Sequence, residues 1–453
     1  MNGRFPLVRS NVLWYEDEAA RLRVVANANL PGGEVLRLVP ALEVRLLERC
    51  DGTRAPAEIA GALGLAEEEV RAWLDGWETR APGTFSFVDS PEDEVRRERA
   101  EHVARGMLLE WEAGTGDAPD ARGYHRTGVT DAHRQFEIEE TTVSHLFRRP
   151  HRALGGRTYG EAFCDRLLEL GALAGAPRML EIGGGTGLFG RALLDRLRAR
   201  APGVHARTEY TFLDLSPILS ASQRETCAGH AARTRFVVAD ALADALAEER
   251  FDVLLANEMI ADLPVGRASR TSLEAGRPGT EAERLVAHHG LEWGRARASF
   301  AVNVGAIRLV ERLPSWLAPG GLAVLTEYGG PDELPWAVDL PGHREHSIHF
   351  GHLLRVADRL GLAGELEMLG DFLGFDGTCP TLAAESAKLL FRHLLPFLGR
   401  EPLPPALAYD RAALDEALGR ETTGRLGNLR FAPLDSAEAR LSPFDFWALR
   451  LRR

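Results

Sequence analysis

From residue 177 onward the apolar positions come in short unbroken runs. The clearest are "RMLEIG", "YTFLDLS", "RFVVADA", "FDVLLANEM" and "GLAVLTEYG". A continuous apolar run of this length belongs to a strand buried on both faces, as in a parallel sheet covered by helices. Helically spaced stretches separate most of the runs, so the pattern predicts a doubly wound α/β domain. Near the N-terminus, "FPLVRSNVLWYE", "LRVVANA" and "GEVLRLV" predict short strands. "PALEVRLLERCDG" then opens on Pro40 and closes on Gly52, which is helix punctuation. "APAEIAGALG" and "AEEEVRAWLDGWE" continue with helical spacing. Residues 85–130 are polar and carry Pro and Gly, which reads as a helix flanked by linker. Helical spacing returns over 137–172, where "TYGEAFCDRLLELG" closes on Gly171. These shifts divide the chain into a small unit at 1–82, a linker and helical lid at 83–172, and a core at 173–453.

A chain of 453 residues holds more than one sizeable core. Apolar residues make up 45% and charged residues 26%, as in ordinary globular proteins. The net charge of -12 counts against a protein that tracks nucleic-acid phosphates. Lys388 is the single lysine, a composition bias rather than a mechanism. Cys50, Cys164, Cys227 and Cys379 are far apart and suggest neither a disulfide framework nor a zinc site. No secretory pattern opens the chain, and no apolar run reaches the roughly 18 residues of a membrane span. The expectation is a cytoplasmic protein with no membrane partner.

The chemistry concentrates where the first run of the core meets glycine. "GTGLFG", Gly185 to Gly190, formally matches the GxGxxG of a dinucleotide site. The wider pattern is different: Glu181 ends the strand, and Gly183, Gly185 and Gly187 follow at alternate positions. In an open α/β sheet the ligand lies over the carboxyl ends of the strands. Asp214 ends the second run, where a carboxylate can accept both hydroxyls of a ribose. Asp240 ends the third and can accept from an adenine amino group. Asn257 and Glu258 end the fourth and face the reaction centre, with Asp262 just beyond. Taken alone, Asp214 and Asp240 could instead be helix caps and Asp262 a turn cap.

Strand, acid and alternating glycines resemble the first motif of class I methyltransferases that use S-adenosylmethionine (SAM). The resemblance implies a Rossmann-like core, SAM as cofactor, and Glu181 near its methionyl ammonium. "LEIGGGTG", "FLDLSPILSASQRE" and "LLANEMIADLPV" further resemble the MidA-like group, which includes a mitochondrial complex I assembly factor that methylates a protein arginine. That similarity runs from about 137 to 375. "HSIHFGHLLRVADRLGL" resembles the region where that group has a histidine, usually followed by an acid. Here Gly351 stands in the acid's place, and the stretch from Gly266 to Phe300 has no counterpart. Asn257, Glu258, Asp262 and His349 are the candidates for binding and deprotonating the methyl acceptor. His346 is a further candidate base. His343, His346, His349 and His352 do not have the spacing of a metal site, so no metal is expected.

"ALEVRLLERCDGTRAPAEIAGALGLAEEEVRAWL" resembles PqqD-like winged-helix domains, which recognise the leaders of ribosomally made precursor peptides. The resemblance implies that an extended leader adds a strand to the edge at "GEVLRLV", beside Val70, Trp73 and Leu74. The resulting expectation is SAM-dependent N- or O-methylation of a precursor peptide. A small-molecule methyltransferase with a dimerising N-terminal module and a non-catalytic SAM-binding assembly factor stay open as alternatives.

Overall fold

The apolar runs become strands, and their two buried faces decide what packs on them. The structure is a computed structural model that describes residues 5–9, 11–19, 21–27, 35–89, 121–243, 246–294, 296–340, 342–400, 403–436 and 438–453. The linker reading over 90–120 therefore lies outside the described residues. The chain folds as two units. The first takes residues up to 103 together with 378–440; the second takes 104–377 together with 441–453.

In the first unit, β1 (Phe5–Val8) pairs with β5 (Phe85–Val88). β2 (Val12–Asp17), β3 (Leu22–Asn27) and β4 (Leu36–Leu38) form an antiparallel sheet, extended beyond β2 by the short strand Leu426–Gly427. Three helices follow, α1 (Ala41–Arg49), α2 (Pro56–Leu63) and α3 (Glu67–Arg80). Val12, Trp14 and Val25 face these helices and pack with Val44, Leu47, Ile59 and Trp77. Leu13, Tyr15, Val24 and Ala26 face the other way and pack with Leu389, Leu390, Leu394 and Leu414. Residues 378–440, assigned by the sequence pattern to the core, thus cover the second face of the N-terminal sheet. Val70 and Leu74 are buried in the helix core. Trp73 packs at 5.4 Å on Phe85 and 6.2 Å on Trp77. Val70 and Leu74 therefore belong to the core and not to a groove wall, contrary to the sequence expectation, and Trp73 is partly exposed.

The second unit is built on one large sheet. β6 (Arg178–Ile182), β7 (Glu209–Asp214), β8 (Thr234–Val238), β9 (Phe251–Asn257) and β12 (Leu317–Gly330) are mutually parallel. The chain runs β6, β7, β8 to one side and then returns to lay β9 on the other side of β6. That reversal is the switch point at which open α/β sheets bind ligands. The strand Phe446–Arg452 enters antiparallel between β12 and the strand Ala363–Met368. The stretch without counterpart contains an antiparallel pair, β10 (Gly266–Ser269) and β11 (Ser299–Val302). Among the described residues no helix is long and apolar enough to cross a membrane.

Candidate active site

At the carboxyl end of β6 the chain turns through Gly183, Gly185 and Gly187, all with positive φ. At Gly185 a Cβ would lie 2.8 Å from the Phe136 ring, and at Gly187 2.9 Å from the Gln223 Cα. Side chains at these positions would fill the turn and strain the backbone together. The helix Leu188–Arg200 then starts with its first N–H groups at the pocket.

Glu181 is buried beneath this turn and accepts a 2.6 Å hydrogen bond from the Tyr210 hydroxyl. Burial, aided by Asp214, pushes its carboxyl up to about 8. Asp214 is buried at the end of β7, accepting from the Ser216 N–H at 2.9 Å and Gln223 Nε2 at 2.7 Å. Burial outweighs those bonds and lifts it to about 6. Each of its oxygens keeps a further lone pair. Asp240 accepts from the Leu242 N–H at 2.8 Å and pairs with Arg122, so an adenine amino group would share it with that guanidinium.

At the end of β9, Asn257 Oδ1 accepts from the Tyr159 hydroxyl at 2.6 Å and Thr326 Oγ1 at 2.9 Å. Tyr159 reaches it because its helix, Tyr159–Glu169, seats Gly160 against the helix that follows the glycine turn. A Cβ on Gly160 would lie 2.7 Å from that of Ala192. Glu258 has a φ of 52°, strained for a residue with a side chain. Its carboxylate accepts from the Val143 N–H at 2.6 Å and the Ser144 N–H at 3.0 Å, capping the short helix Val143–Leu146. Burial raises its pKa against those bonds. Asp262 follows on a turn, with Oδ1 at 2.9 Å from His125 Nε2 and 3.4 Å from His343 Nε2. Burial opposes its ionisation, but the two imidazoles hold its carboxyl well below the usual range. Burial works in the opposite sense on those imidazoles. Asp262 outweighs it at His125, raised to about 9, and with Glu345 at His343, raised to about 10.

One pocket joins these groups and is lined by six carboxylate residues: Glu140, Glu181, Asp214, Asp240, Glu258 and Asp262. Arg122 and His125 line it too, against Asp240 and Asp262, and burial leaves Glu181 largely neutral at pH 7, so the lining is rich in acids but mixed in charge.

Residues 158–308 match the model of the family Methyltransf_28, described as "Putative S-adenosyl-L-methionine-dependent methyltransferase". This protein is a SAM-dependent methyltransferase. No curated protein matches its sequence. Among solved structures, an uncharacterized ACR, COG1565 superfamily protein from Burkholderia thailandensis is 19% identical with a TM-score of 0.43. The match covers 81% of this methyltransferase and 94% of that chain. A second COG1565 superfamily structure from the same organism, bound to S-adenosyl-homocysteine, is 19% identical at 0.38, covering 81% and 95%. An O-methyltransferase family protein, also from B. thailandensis, is 16% identical at 0.34, covering 73% and 89%. TM-scores below 0.5 leave these as loose likenesses.

Glu181, Gly183, Gly185, Asp214, Asp240, Asn257, Glu258 and Asp262 of the methyltransferase all line the one pocket. Gly187 turns the chain behind it. His349 is not among the lining residues. Its Nδ1 accepts from the His352 N–H at 3.3 Å, capping the helix Phe350–Arg359, and its ring stacks on His352 at 3.6 Å. Burial, with His352 adding, pushes His349 down to about 3, so it is a feeble base at neutral pH. Gly351 donates its N–H to the Pro331 carbonyl at 3.1 Å, and a Cβ there would collide with that same oxygen. The usual acid is therefore sterically excluded.

Sequence reasoning missed Arg122, His125, Phe136, Glu140, Thr142 and His145, which the segment before residue 158 brings to the pocket. The signal available was weak: a stretch of His, Arg and aromatic residues in a region that read as linker and lid.

Proposed function

We propose that this methyltransferase acts on a ribosomally synthesised precursor peptide whose leader binds the N-terminal unit. Bound SAM supplies an electrophilic methyl group. The chain's part is to hold the acceptor in line with it and to exclude water. The observation that carries the peptide reading is the edge at β4. Among the described residues β4 pairs only with β3, so its outer backbone groups remain available to a further strand. Leu38 on it is 65% exposed. The Arg37 guanidinium extends over the Trp77 ring of α3 at 5.7 Å, giving a side chain and an open strand to an extended peptide. The resemblance to PqqD-like domains and to the MidA-like group, one member of which methylates a protein, supports the same reading.

The test uses the full chain and precursor peptides encoded beside its gene. Leu38→Glu puts a charge on an exposed apolar contact and leaves the core untouched. It should raise KM for the full precursor about tenfold with kcat nearly constant, because a remote contact contributes equally to ground and transition states. A leaderless core peptide should not sense it. Equal turnover of precursor and leaderless peptide by both proteins would refute leader binding. Methylation of small molecules alone would favour the small-molecule alternative.

A further inference from the structure

We infer that His125, Glu140, Asp262 and His343 form a binding site for a divalent transition-metal ion in the wall of the cofactor pocket. The four come from separate segments: the turn Tyr124–Gly128, the end of the turn after Gln135, the turn after β9, and the strand His343–His346. Each offers one nitrogen or oxygen, and these atoms all lie within 4.8 Å of one another. Their side chains are 14%, 11%, 16% and 0% exposed, in that order.

Spacing and direction both favour a shared ion over simple pairing. Metal–ligand bonds of about 2.1 Å place neighbouring ligand atoms roughly 3.0–3.5 Å apart in octahedral or tetrahedral shells. The separations from Asp262 to His125 and His343, 2.9 and 3.4 Å, match that spacing, and His343 to Glu140, at 3.9 Å, is somewhat wider. His125 Nε2 and Asp262 Oδ1 are close, yet neither has a hydrogen-bond partner. They are therefore close without being aligned, as atoms directed at a common third point would be. The groups behind them are arranged to orient ligands. Gln135 Nε2 donates to Glu140 at 3.0 Å, and Tyr124 stacks on the His343 ring at 4.5 Å. Glu345, 3.3 Å from His343 Nε2, adds a third carboxylate. Without an ion, the protonated His125 and His343 supply the positive charge these carboxylates need, and a bound ion would take the place of both protons.

Two imidazoles with two carboxylates suit Zn²⁺, Mn²⁺, Fe²⁺ or Co²⁺ rather than the all-oxygen shells of Mg²⁺ and Ca²⁺. His125, Glu140 and Asp262 also line the cofactor pocket, so an ion held there is within reach of whatever enters it. The spacing argument against a metal concerned histidines near one another in sequence. This set spans residues 125 to 343, and no local spacing reveals it.

The proposal rests on these side chains and not on the peptide reading. The experiment takes the full chain, stripped with a chelator, and titrates it with Co²⁺. We expect one Co²⁺ per chain, a visible d–d spectrum distinct from aqueous Co²⁺, and displacement by Zn²⁺. His125→Ala and His343→Ala should each weaken Co²⁺ binding by about 100-fold or more, exceeding the usual effect of groups behind the ligands. Cooperative thermal unfolding, read separately, checks that the variants are folded. Should either histidine variant fail that check, the near-isosteric Glu140→Gln and Asp262→Asn decide by the same readout. No uptake of Co²⁺ or Zn²⁺ by the wild type would leave an ion-pair network only and overturn the proposal. So would unchanged affinity in folded variants.

Discussion

At the scale of the residue, Asp214 shows how burial tunes a cofactor site. Its carboxylate already accepts from Ser216 and Gln223 and still has lone pairs to offer. Asp214→Ala should weaken SAM binding by about 1.5–3 kcal/mol, the range for hydrogen bonds to a charged group. Burial has raised Asp214 to about 6, so it is charged above that pH and neutral below. The Asp214 contribution to SAM affinity should be nearly full at pH 7.5 and fall as the pH drops through about 6. In Asp214→Asn that part of the dependence should vanish. Calorimetry across pH 5–8 checks both, and equal slopes in the two proteins would exclude Asp214 as the ribose acceptor. Glu258 carries the opposite lesson. As a strand-end acid it reads as a partner for a cationic acceptor, yet its oxygens are bonded to the Val143 and Ser144 amides. The residue type was legible; its partners lie more than a hundred positions away.

At the scale of the element, the helix Phe350–Arg359 carries an internal pH dependence. His349 caps its N-terminus through Nδ1 and is stacked on His352. A proton on that cap would remove the acceptor, place charge at the positive end of the helix dipole and leave it buried. The folded-state value of about 3 lies below the ordinary 6.5, so the contribution to stability is complete above about 6.5. It is lost as the pH falls toward 3, a loss of a few kcal/mol, since each tenfold change in proton affinity is worth about 1.4 kcal/mol. Asn is a good N-cap and does not titrate in this range. His349→Asn should therefore flatten the acid limb of the unfolding free energy, whatever its effect at neutral pH. Chemical denaturation at pH 4, 5 and 7 measures this, and an acid limb as steep as wild type would sink the assignment. The sequence displayed this helix through its apolar spacing. It suggested a base at His349 only by resemblance, because nothing local distinguishes a cap turned inward from a side chain turned to a substrate.

At the scale of the whole molecule, both units depend on segments far along the chain. The strand Phe446–Arg452 pairs on one side with β12 and on the other with Ala363–Met368, so it is interior to the sheet. Removing residues 441–453 would expose both partner strands and take the buried Ala448, Leu449 and Leu451 out of the core. The truncated protein should lose cooperative unfolding and S-adenosyl-homocysteine binding together. A truncation that binds with wild-type affinity would show that the strand is dispensable. The first unit has the same character. Its central strands bury both faces, and "VLWY" and "VVA" are continuous rather than alternating for that reason. That pattern was the available signal that a second layer must cover the sheet.

The sequence by itself determined the strands of the parallel core and the glycine turn with acids at neighbouring strand ends, though not the strand Phe85–Val88, which lies in a stretch that read as linker. These follow from periods of two and 3.6 residues, from continuous burial and from the left-handed φ that glycine tolerates. Strand ends in a parallel sheet lie along one edge, so Glu181, Asp214, Asp240 and Asn257 could be placed together before any fold was seen. Only the tertiary structure decided which distant segments meet. It brought residues 378–440 to the N-terminal sheet and ran Phe446–Arg452 back into the core. It also gathered His125, Glu140, Asp262 and His343 around one point. Such meetings depend on how whole layers cover one another's apolar faces, and that information is not contained in any local stretch of the chain.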